Sequence, residues 1–231
     1  MDPKRVGAVV LAAGASSRFG DVKLLAPLEG RPLLQHVLDT ARAAGVGEVV
    51  VVLGDAADRI ERAIRWGTER RVRNPDPSAG LSSSLRIGLA ALGEGSDAAL
   101  FLLGDQPLVR LDVIRALVGA RPSGATLPPG GAMPSGGALP SGGARPSGAA
   151  SATRPVVVPR YASGGGPNPA LVDRSAWWLA DEASGDRGLG PVLRVHPELV
   201  LEVPVPGQNP DVDTPADLAA LAGTAREGQE G

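Results

Sequence analysis

The chain has 231 residues, a formal net charge of −2 and no cysteine. That length allows one sizeable α/β domain, and the balanced charge argues against a nucleic-acid partner, which would need a concentrated basic face. The lack of cysteine excludes disulfides and thiolate zinc sites. The two histidines, His36 and His196, are far apart in the sequence, which disfavours an imidazole metal site.

The N-terminal region allows two interpretations. Lys4 and Arg5 precede the apolar run VGAVVLAA, an order that also occurs in secretory signals. The run is at the short end for a signal, and it fits a first core strand well. No stretch of the chain is apolar for long enough to cross a bilayer. We therefore expect a cytoplasmic protein without a membrane partner.

Apolar runs alternate with segments of helical spacing through the first half of the chain. The predicted strands are Val6–Leu11, Glu48–Leu53, Arg71–Arg73 and Ala98–Leu103, and the predicted helices are Leu33–Ala44, Ala56–Trp66, Ser82–Leu92 and Leu111–Val118. This alternation predicts a Rossmann-like three-layer α/β/α fold, in which helices cover both faces of a mostly parallel sheet.

The alternation stops between Arg121 and Pro155. This segment repeats the units AMPSGG, ALPSGG and ARPSGA, and its proline and glycine content forbids helix and strand. Glycine is not at every third position, which excludes collagen. We expect a low-complexity surface loop at residues 121–155 within a single domain, residues 1–223; a proline-rich motif that binds another protein is the alternative.

Regular structure is predicted again after this segment. The expected elements are a strand at Pro155–Arg160, a glycine-rich turn at Ser163–Pro169, a helix at Val172–Glu182 and a strand near Leu199–Val203. Thr214 is expected to cap a last helix that begins at Pro215. Residues 224–231 are expected to form a flexible polar tail.

The loop after the first strand, LAAGASSRFGDVK, has the residue types that a phosphate group needs. Ligands of open α/β sheets bind beyond the carboxyl ends of the strands, where this loop starts. Gly14 lets the backbone approach an anion, while Arg18 offers a planar fork and Lys23 a compact charge. The spacing is neither that of a Walker loop nor that of GxGxxG, so a plain strand exit with two solvated cations is the alternative.

Two carboxylates are expected at the same edge of the sheet. Asp105 follows the fourth strand in GDQP, and Asp213 precedes the last helix in DVDTP. A carboxylate beside a triphosphate is a natural ligand for Mg²⁺. Aspartate is also common in turns and before helices, so each residue has an ordinary alternative. The prediction depends on Lys23 and both carboxylates meeting at one edge.

Five segments resemble, in this order, the molybdenum cofactor nucleotidyltransferases and their MobA-like relatives: LAAGASSRFGDVKLL, NPDPSAGLSSSLRIGL, LGDQPLV, SGDRGLGPVL and DVDTPADL. The resemblance covers nearly the whole chain outside the proline and glycine segment. It implies the fold of the nucleotide-diphospho-sugar transferases. It also implies Mg²⁺-dependent transfer of a nucleotide from a nucleoside triphosphate to the phosphate of a small acceptor, with release of pyrophosphate.

The resemblance also implies roles for single residues. The nucleotide-binding set is Leu11, Ala12, Ala13, Gly14, Arg18, Lys23, Gly80, Ser82, Ser83, Ser84 and Asp105. Within that set Arg18, Lys23 and Asp105 would be catalytic, and Asp105 and Asp213 would hold Mg²⁺. The acceptor-side set is Asn168, Pro169, Gly185, Asp186 and Gly188, although GGGPNPALV departs from the G-x-P-V-x-F stretch of many relatives. Helix capping is the alternative for Ser82–Ser84 and for Asp186.

The base and the acceptor are inferred from less. Cytidylyl-transferring relatives tend to read LAAG and guanylyl-transferring ones LAGG, and this chain has Ala13 at that position. A methyl group there narrows the space for a purine, a difference of about 1–3 kcal/mol, so CTP is expected and a molybdopterin-type precursor is the expected acceptor. The alternatives are transfer from GTP or another triphosphate to a different acceptor such as a sugar phosphate, and a non-catalytic nucleotide-binding scaffold.

Overall fold

The computed structural model describes residues 2–14, 19–121 and 154–227. The strands in these ranges are β1 (Val6–Ala12), β2 (Pro27–Leu28), β3 (Arg31–Pro32), β4 (Glu48–Leu53), β5 (Arg70–Arg73), β6 (Ala98–Leu103), β7 (Val156–Tyr161), β8 (Ala170–Asp173) and β9 (Val200–Val205). The helices are α1 (Leu33–Ala43), α2 (Ala57–Ala63), α3 (Leu81–Ala91), α4 (Leu111–Ala120), α5 (Leu179–Glu182), α6 (Gly190–Val195) and α7 (Pro215–Glu227).

Seven of these strands form one sheet in the order β5-β4-β1-β6-β8-β7-β9, and β2 and β3 form a separate hairpin. The sheet is parallel except at β8, which runs antiparallel to both of its neighbours. The predicted mostly parallel α/β fold is therefore confirmed. β1 lies between β4 and β6, so the carboxyl ends of these three strands form the centre of one sheet edge.

Two apolar layers enclose the sheet. Along β1, Ala8 and Val10 face the layer that contains residues of α1, α2 and α4. Val9 and Leu11 face the opposite layer, which contains residues of α3, α5 and α6. Because successive side chains of a strand point to opposite faces, a strand covered on both sides must be apolar at every position. Apart from Glu48 at the start of β4, the sequences of β1, β4 and β6 fit that requirement, which is why their predicted bounds agree closely with the structure.

One predicted helix is wrong at its start. Val172–Glu182 was expected to be helical, but Ala170–Asp173 is the antiparallel strand β8, followed by a short 3₁₀ turn at Arg174–Ala176 and then α5. All four residues of β8 are buried, between β6 and β7. A four-residue apolar run next to a helix carries no periodicity that separates strand from helix. The predicted helix at Ala56–Trp66 is also shorter, because Ile64 adopts an extended conformation (φ −88°, ψ 141°) directly after α2.

The C-terminal helix begins as predicted. Pro215 is its first residue, and Thr214 and Asp217 form a reciprocal cap: the Thr214 N–H donates to Asp217 Oδ2 at 2.7 Å and the Asp217 N–H donates to Thr214 Oγ1 at 3.2 Å. The helix continues to Glu227, past the boundary expected at residue 223. Residues 228–231 of the predicted tail lie outside the described residues.

Asp173 contacts both ends of the proline and glycine segment. Arg121 and Asp173 each have a side chain that is 2% exposed, and the Arg121 guanidinium donates to the Asp173 carboxylate. Asp173 also donates its N–H to Pro155 O at 2.8 Å. Since Asp173 pairs with Ala98, the first residue of β6, this junction lies at the edge of the sheet opposite the carboxyl ends of β1 and β6. The predicted loop itself, residues 122–153, lies outside the described residues.

None of the helices in the described part of the chain has the length and apolar character that crossing a membrane requires.

Candidate nucleotide-binding site

The carboxyl ends of β1 and β6 carry the residues that the sequence singled out. β1 leads into Ala13 and Gly14, and β6 leads into Gly104 and Asp105. The Gly104 N–H donates to Leu11 O at 2.9 Å, which continues the pairing of β1 with β6 by one residue beyond the end of β6. Asp105 is thereby held next to the start of the loop that follows β1.

A backbone hydrogen bond brings the third segment to the same place. The Val212 N–H donates to Asp105 O at 3.0 Å, and Val212 is fully buried against Leu28 and Leu33. Asp211 and Asp213 flank this anchored residue on either side. The segment before α7 is therefore fixed beside the end of β6, although it lies more than 100 residues away in the sequence.

Lys23 joins the two predicted metal ligands. Its Nζ donates to Asp105 Oδ2 at 2.7 Å and to Asp213 Oδ1 at 3.0 Å. The Lys23 side chain is only 12% exposed, while that of Asp213 is 52% exposed. Burial disfavours the charged amine, but the charges and hydrogen bonds of the two carboxylates outweigh it and raise the pKa of Lys23. Lys23 is therefore a permanent cation at physiological pH.

Asp211 is a site residue that the sequence analysis did not select. It accepts a hydrogen bond from Gln106 Nε2 at 2.8 Å, and Gln106 is itself paired with the buried Asn209. Burial first, and then the charge of Asp105, raise the pKa of Asp211. The sequence does place Asp211 two residues before Asp213, in DVDTP. The neighbouring residues give no sign, however, that Gln106 would donate to Asp211 and hold it in the site.

These groups line a cavity of about 470 Å³, a size within the usual range for small-molecule sites. Its described lining residues are Leu11, Ala12, Ala13, Gly14, Lys23, Leu24, Pro77, Ser78, Gly80, Leu81, Ser84, Leu103, Asp105, Asp186, Asp211 and Asp213. One wall is the end of β1 with its loop, and the opposite wall is the segment that leads into α3. The carboxylates and Lys23 lie where β6 ends.

Gly80 brings the Asp186 loop against that second wall. It has φ +87° and ψ −176°, a backbone conformation that is essentially confined to glycine. A Cβ added to Gly80 would lie 2.6 Å from Gly185 O and 2.8 Å from Asp186 Oδ1. The loop that carries Asp186 thus packs directly on the Gly80 backbone, and this close approach places Asp186 in the cavity wall.

The serines after Gly80 have different positions. Ser84 lines the cavity and accepts from Asn74 Nδ2 at 3.0 Å. Ser83 also accepts from Asn74 Nδ2, at 2.7 Å, and its hydroxyl donates to Gly80 O at 2.8 Å. Ser82 is 1% exposed. Ser82 and Ser83 do not line the cavity, and their contacts stabilise the turn that presents Gly80.

The remaining predicted site residues are not all brought together. Arg18 lies outside the described residues. Gly185 and Gly188 flank Asp186 with φ +62° and +56° but do not themselves line the cavity. Asn168 and Pro169 also do not line it; they precede β8, and Asn168 O accepts a hydrogen bond from the Tyr161 hydroxyl at 3.0 Å.

The oxygen donors of this site suit a hard divalent cation whose remaining ligands come from the substrate and from water. Asp105 and Asp213 offer carboxylate oxygens within reach of one ammonium group, so the two carboxylates are close to each other. In the described part of the chain no three carboxylate or imidazole groups are close enough to hold a metal ion by themselves. A site with two protein carboxylates, whose other ligands are substrate phosphates and water, is the arrangement that Mg²⁺ commonly takes in phosphate-transferring enzymes.

Comparison with known proteins identifies the family of this chain. The family model described as the MobA-like NTP transferase domain matches residues 8–200. Among curated proteins, the bifunctional protein GlmU of Bordetella petrii is 38% identical over 123 residues, which are 52% of this chain and 27% of that protein. The chain therefore spans about a quarter of the length of the curated relatives that it matches.

Two solved structures are similar over nearly the whole chain. The Rv0371c homolog from Mycobacterium sp. strain JC1 is 27% identical with a TM-score of 0.78, over 97% of this chain and 98% of that one. Rv0371c from Mycobacterium tuberculosis H37Rv, solved as a complex with manganese, is 27% identical with a TM-score of 0.73, over 95% of this chain and 99% of that one.

Proposed function

The chain belongs to the family of MobA-like NTP transferase domains, and from that premise we propose that it transfers CMP from CTP to the phosphate of a molybdopterin-type cofactor precursor. The observation that carries the proposal is the contact of Lys23 with both Asp105 and Asp213 in the cavity beside the β1 loop. A cation and two carboxylates at the carboxyl edge of a parallel sheet suit the triphosphate of a nucleotide and its metal.

The proposed reaction needs no covalent enzyme intermediate. A phosphate oxygen of the acceptor attacks the α-phosphorus of CTP, a new phosphorus–oxygen bond forms, and the bond to the β-phosphate breaks so that pyrophosphate leaves. The acceptor phosphate is already anionic, so no strong general base is required. Catalysis then consists of positioning and charge stabilisation, as in phosphoryl transfer generally.

Each wall of the cavity has a role in this proposal. Leu11, Ala12, Ala13 and Gly14 bind the nucleotide from one side, and Gly80 and Ser84 bind it from the other. Lys23, together with Arg18, stabilises the negative charge that collects on the leaving pyrophosphate. Asp186, in the loop from Gly185 to Gly188, faces the acceptor; Asn168 and Pro169 are proposed for the acceptor side on sequence resemblance alone.

Asp105 and Asp213 are the residues proposed to hold Mg²⁺. When bound, a divalent cation would neutralise charge on the phosphate oxygens. The manganese complex of the similar mycobacterial protein Rv0371c supports a divalent cation in this proposal. A reaction that consumes a nucleoside triphosphate is also in keeping with a cytoplasmic location.

The test is release of pyrophosphate from CTP, GTP, ATP and UTP, each with Mg²⁺ and purified molybdopterin. We expect release with CTP, favoured over GTP because of the Ala13 methyl group. Release only with GTP would refute the base assignment, release only with a sugar phosphate would refute the acceptor, and triphosphate binding without release with any acceptor would identify a scaffold.

The same assay tests Lys23. The chain has two lysines, Lys23 and the exposed Lys4, so Lys4→Met is a matched control for Lys23→Met. Loss of one preorganised cation should lower turnover by roughly 10²–10³-fold in Lys23→Met and leave Lys4→Met unchanged. Near-normal turnover of folded Lys23→Met would remove Lys23 from the mechanism. For Asp105→Asn we expect half-maximal activity at a higher Mg²⁺ concentration, while Asp112→Asn, at an exposed position on α4, should titrate as the parent protein does.

A further inference from the structure

A second cavity of about 820 Å³ lies beside β7 and β9, the last two strands in the sheet order, where α6 covers part of them. Its described lining residues are Arg154, Val158, Pro159, Arg160, Tyr161, Gly164, Gly165, Gly166, Pro167, Gly190, Leu193, Arg194, Pro197, Val200 and Glu202. Neither the carboxylates nor Lys23 of the first cavity are among them. We call it the arginine cavity.

The charged groups of the arginine cavity are mostly positive. Three arginines line it against the single carboxylate of Glu202. Arg160 Nε lies 3.8 Å from Glu202 Oε2, and both side chains are more than half exposed, so this pair contributes little. Arg194 forms no ion pair with any described residue. Its NH1 would be 3.9 Å from a Cβ added to Gly190, which places the guanidinium over the first turn of α6.

The floor of the cavity is apolar. Val158 is 4% exposed and Leu193 is 6% exposed, and both belong to the apolar layer under α6. The turn that begins at Gly164 closes one side of the cavity. Gly165 packs on the Tyr161 ring: a Cβ added to Gly165 would lie 3.4 Å from Tyr161 Cδ2. The N–H groups of Gly165 and Gly166 have no hydrogen-bond partner among the described residues. Guanidinium groups and open N–H donors above an apolar floor suit an acidic group attached to an apolar body.

The arginine cavity is also a neighbour of the first one. Asp186 lines the first cavity and Gly190 lines the second. Three residues lie between them, so four steps of the backbone bound the distance between their Cα atoms at about 14 Å. A ligand of the arginine cavity would therefore bind beside the first cavity without contacting the carboxylates that line it.

We propose that the arginine cavity is a binding site for an organic anion, whose phosphate or carboxylate pairs with Arg160 and Arg194 and whose apolar part rests on Val158 and Leu193. The site is separate from the nucleotide cavity and does not depend on the reaction proposed there. A guanidinium forms bidentate hydrogen bonds with a carboxylate or with a phosphate. The ligand is therefore defined by its oxyanion, which is planar in a carboxylate and tetrahedral in a phosphate.

The test uses the ¹⁵N-labelled full chain and three probes: phenyl phosphate, benzoate and neutral phenol. We expect the amide signals of Gly165, Gly166 and Gly190 to shift saturably with phenyl phosphate and with benzoate, at a Kd in the millimolar range or tighter, and to respond weakly to phenol. The phosphate should bind more tightly than the carboxylate because it carries more charge. Saturable shifts with one acid alone would assign the site to that acid.

The variant Arg160→Gln/Arg194→Gln should weaken both acids by roughly tenfold or more, the effect of losing charge-assisted hydrogen bonds. Arg115→Gln, at an exposed position on α4, is the matched control and should bind as the parent does. Shifts that never saturate, equal shifts with phenol, or unchanged affinity in the folded double variant would each overturn the proposal. A separate titration with Mg²⁺ and CTP should move the Gly14 and Gly80 signals, so its failure would count against the nucleotide site only.

Discussion

The sharpest consequence of the site geometry concerns Gly80. An alanine there has to place its Cβ 2.6 Å from Gly185 O and 2.8 Å from Asp186 Oδ1, distances that real Cβ atoms do not sustain. The backbone at φ +87° and ψ −176° adds strain of about 1–3 kcal/mol for a residue with a side chain. Forcing the neighbouring backbone away adds about 1–3 kcal/mol. Gly80→Ala should therefore lower the free energy of unfolding by roughly 2–6 kcal/mol in total.

Gly45 provides the matched control. It follows α1 with φ +70°, and nothing lies within 4 Å of the Cβ that an alanine would add. Gly45→Ala thus incurs the left-handed strain without the steric contact, a loss of about 1–2 kcal/mol. Urea denaturation of the two variants measures the difference directly, and an unchanged m-value would show that the comparison is between like unfolded states.

The functional effect of Gly80→Ala should follow from where the strain is relieved. Gly185 and Asp186 are exposed, so we expect this segment, and not α3, to be displaced and the wall of the nucleotide cavity to open. We expect turnover to fall by up to about 10²-fold, as a displacement of about 1 Å can cause, and Gly45→Ala to keep normal turnover. Equal destabilisation of the two variants, or a stable Gly80→Ala with normal turnover, would show that the close packing of Gly80 on the Asp186 loop is not what shapes the site.

Three further predictions follow from other parts of the molecule. Asp173→Asn should lower the free energy of unfolding by about 3–5 kcal/mol, because it removes the buried carboxylate to which the buried Arg121 guanidinium donates; urea denaturation of this variant and of Asp112→Asn would show the difference, and equal values would contradict it. Hydrogen bonding to Glu182 raises the pKa of His196 above its usual value near 6.5. The protonated ring therefore contributes its full stabilisation of the folded state below about pH 6.5, and this contribution is lost as the pH rises through the raised pKa. His196→Gln should flatten that decline in denaturation curves recorded from about pH 6 to about pH 8.5, and a decline that persists would assign it to another group. Replacement of residues 123–152 by a short glycine–serine linker should leave turnover unchanged, because both ends meet at Asp173 on the edge opposite the nucleotide cavity; a large loss of turnover would show that the segment acts in the site.

The central strands were predictable because their environment leaves a simple trace in the sequence. Strands buried on both faces are continuous apolar runs, and β4 and β6 have the bounds that those runs predict. β8 was missed because its four residues are too short to show a period and are followed by the tryptophans of a helix-like segment. The sequence contains no local sign that this segment pairs antiparallel with β6.

The meeting of Lys23 and Asp105 could be expected from topology alone. Both follow strands that lie side by side and run in the same direction, so their loops share one edge of the sheet. The position of Asp211 and the contact of Gly80 with Gly185 could not be expected from topology, because each depends on packing between segments about 100 residues apart. A hydrogen bond from Gln106, or an approach that only glycine allows, becomes visible when the two segments are already in place.

The charge of the nucleotide cavity constrains how any triphosphate can bind. Among the described lining residues Lys23 is the only cation, whereas four carboxylates line the same cavity, those of Asp105, Asp186, Asp211 and Asp213. The Lys23 ammonium already balances part of the charge of Asp105 and Asp213, so it cannot alone offset the further negative charge of a triphosphate. A nucleotide that enters with a divalent cation brings part of the missing charge with it, and linkage then requires that each strengthen the binding of the other. The acidic character of the site thus favours the metal–nucleotide complex over the free nucleotide.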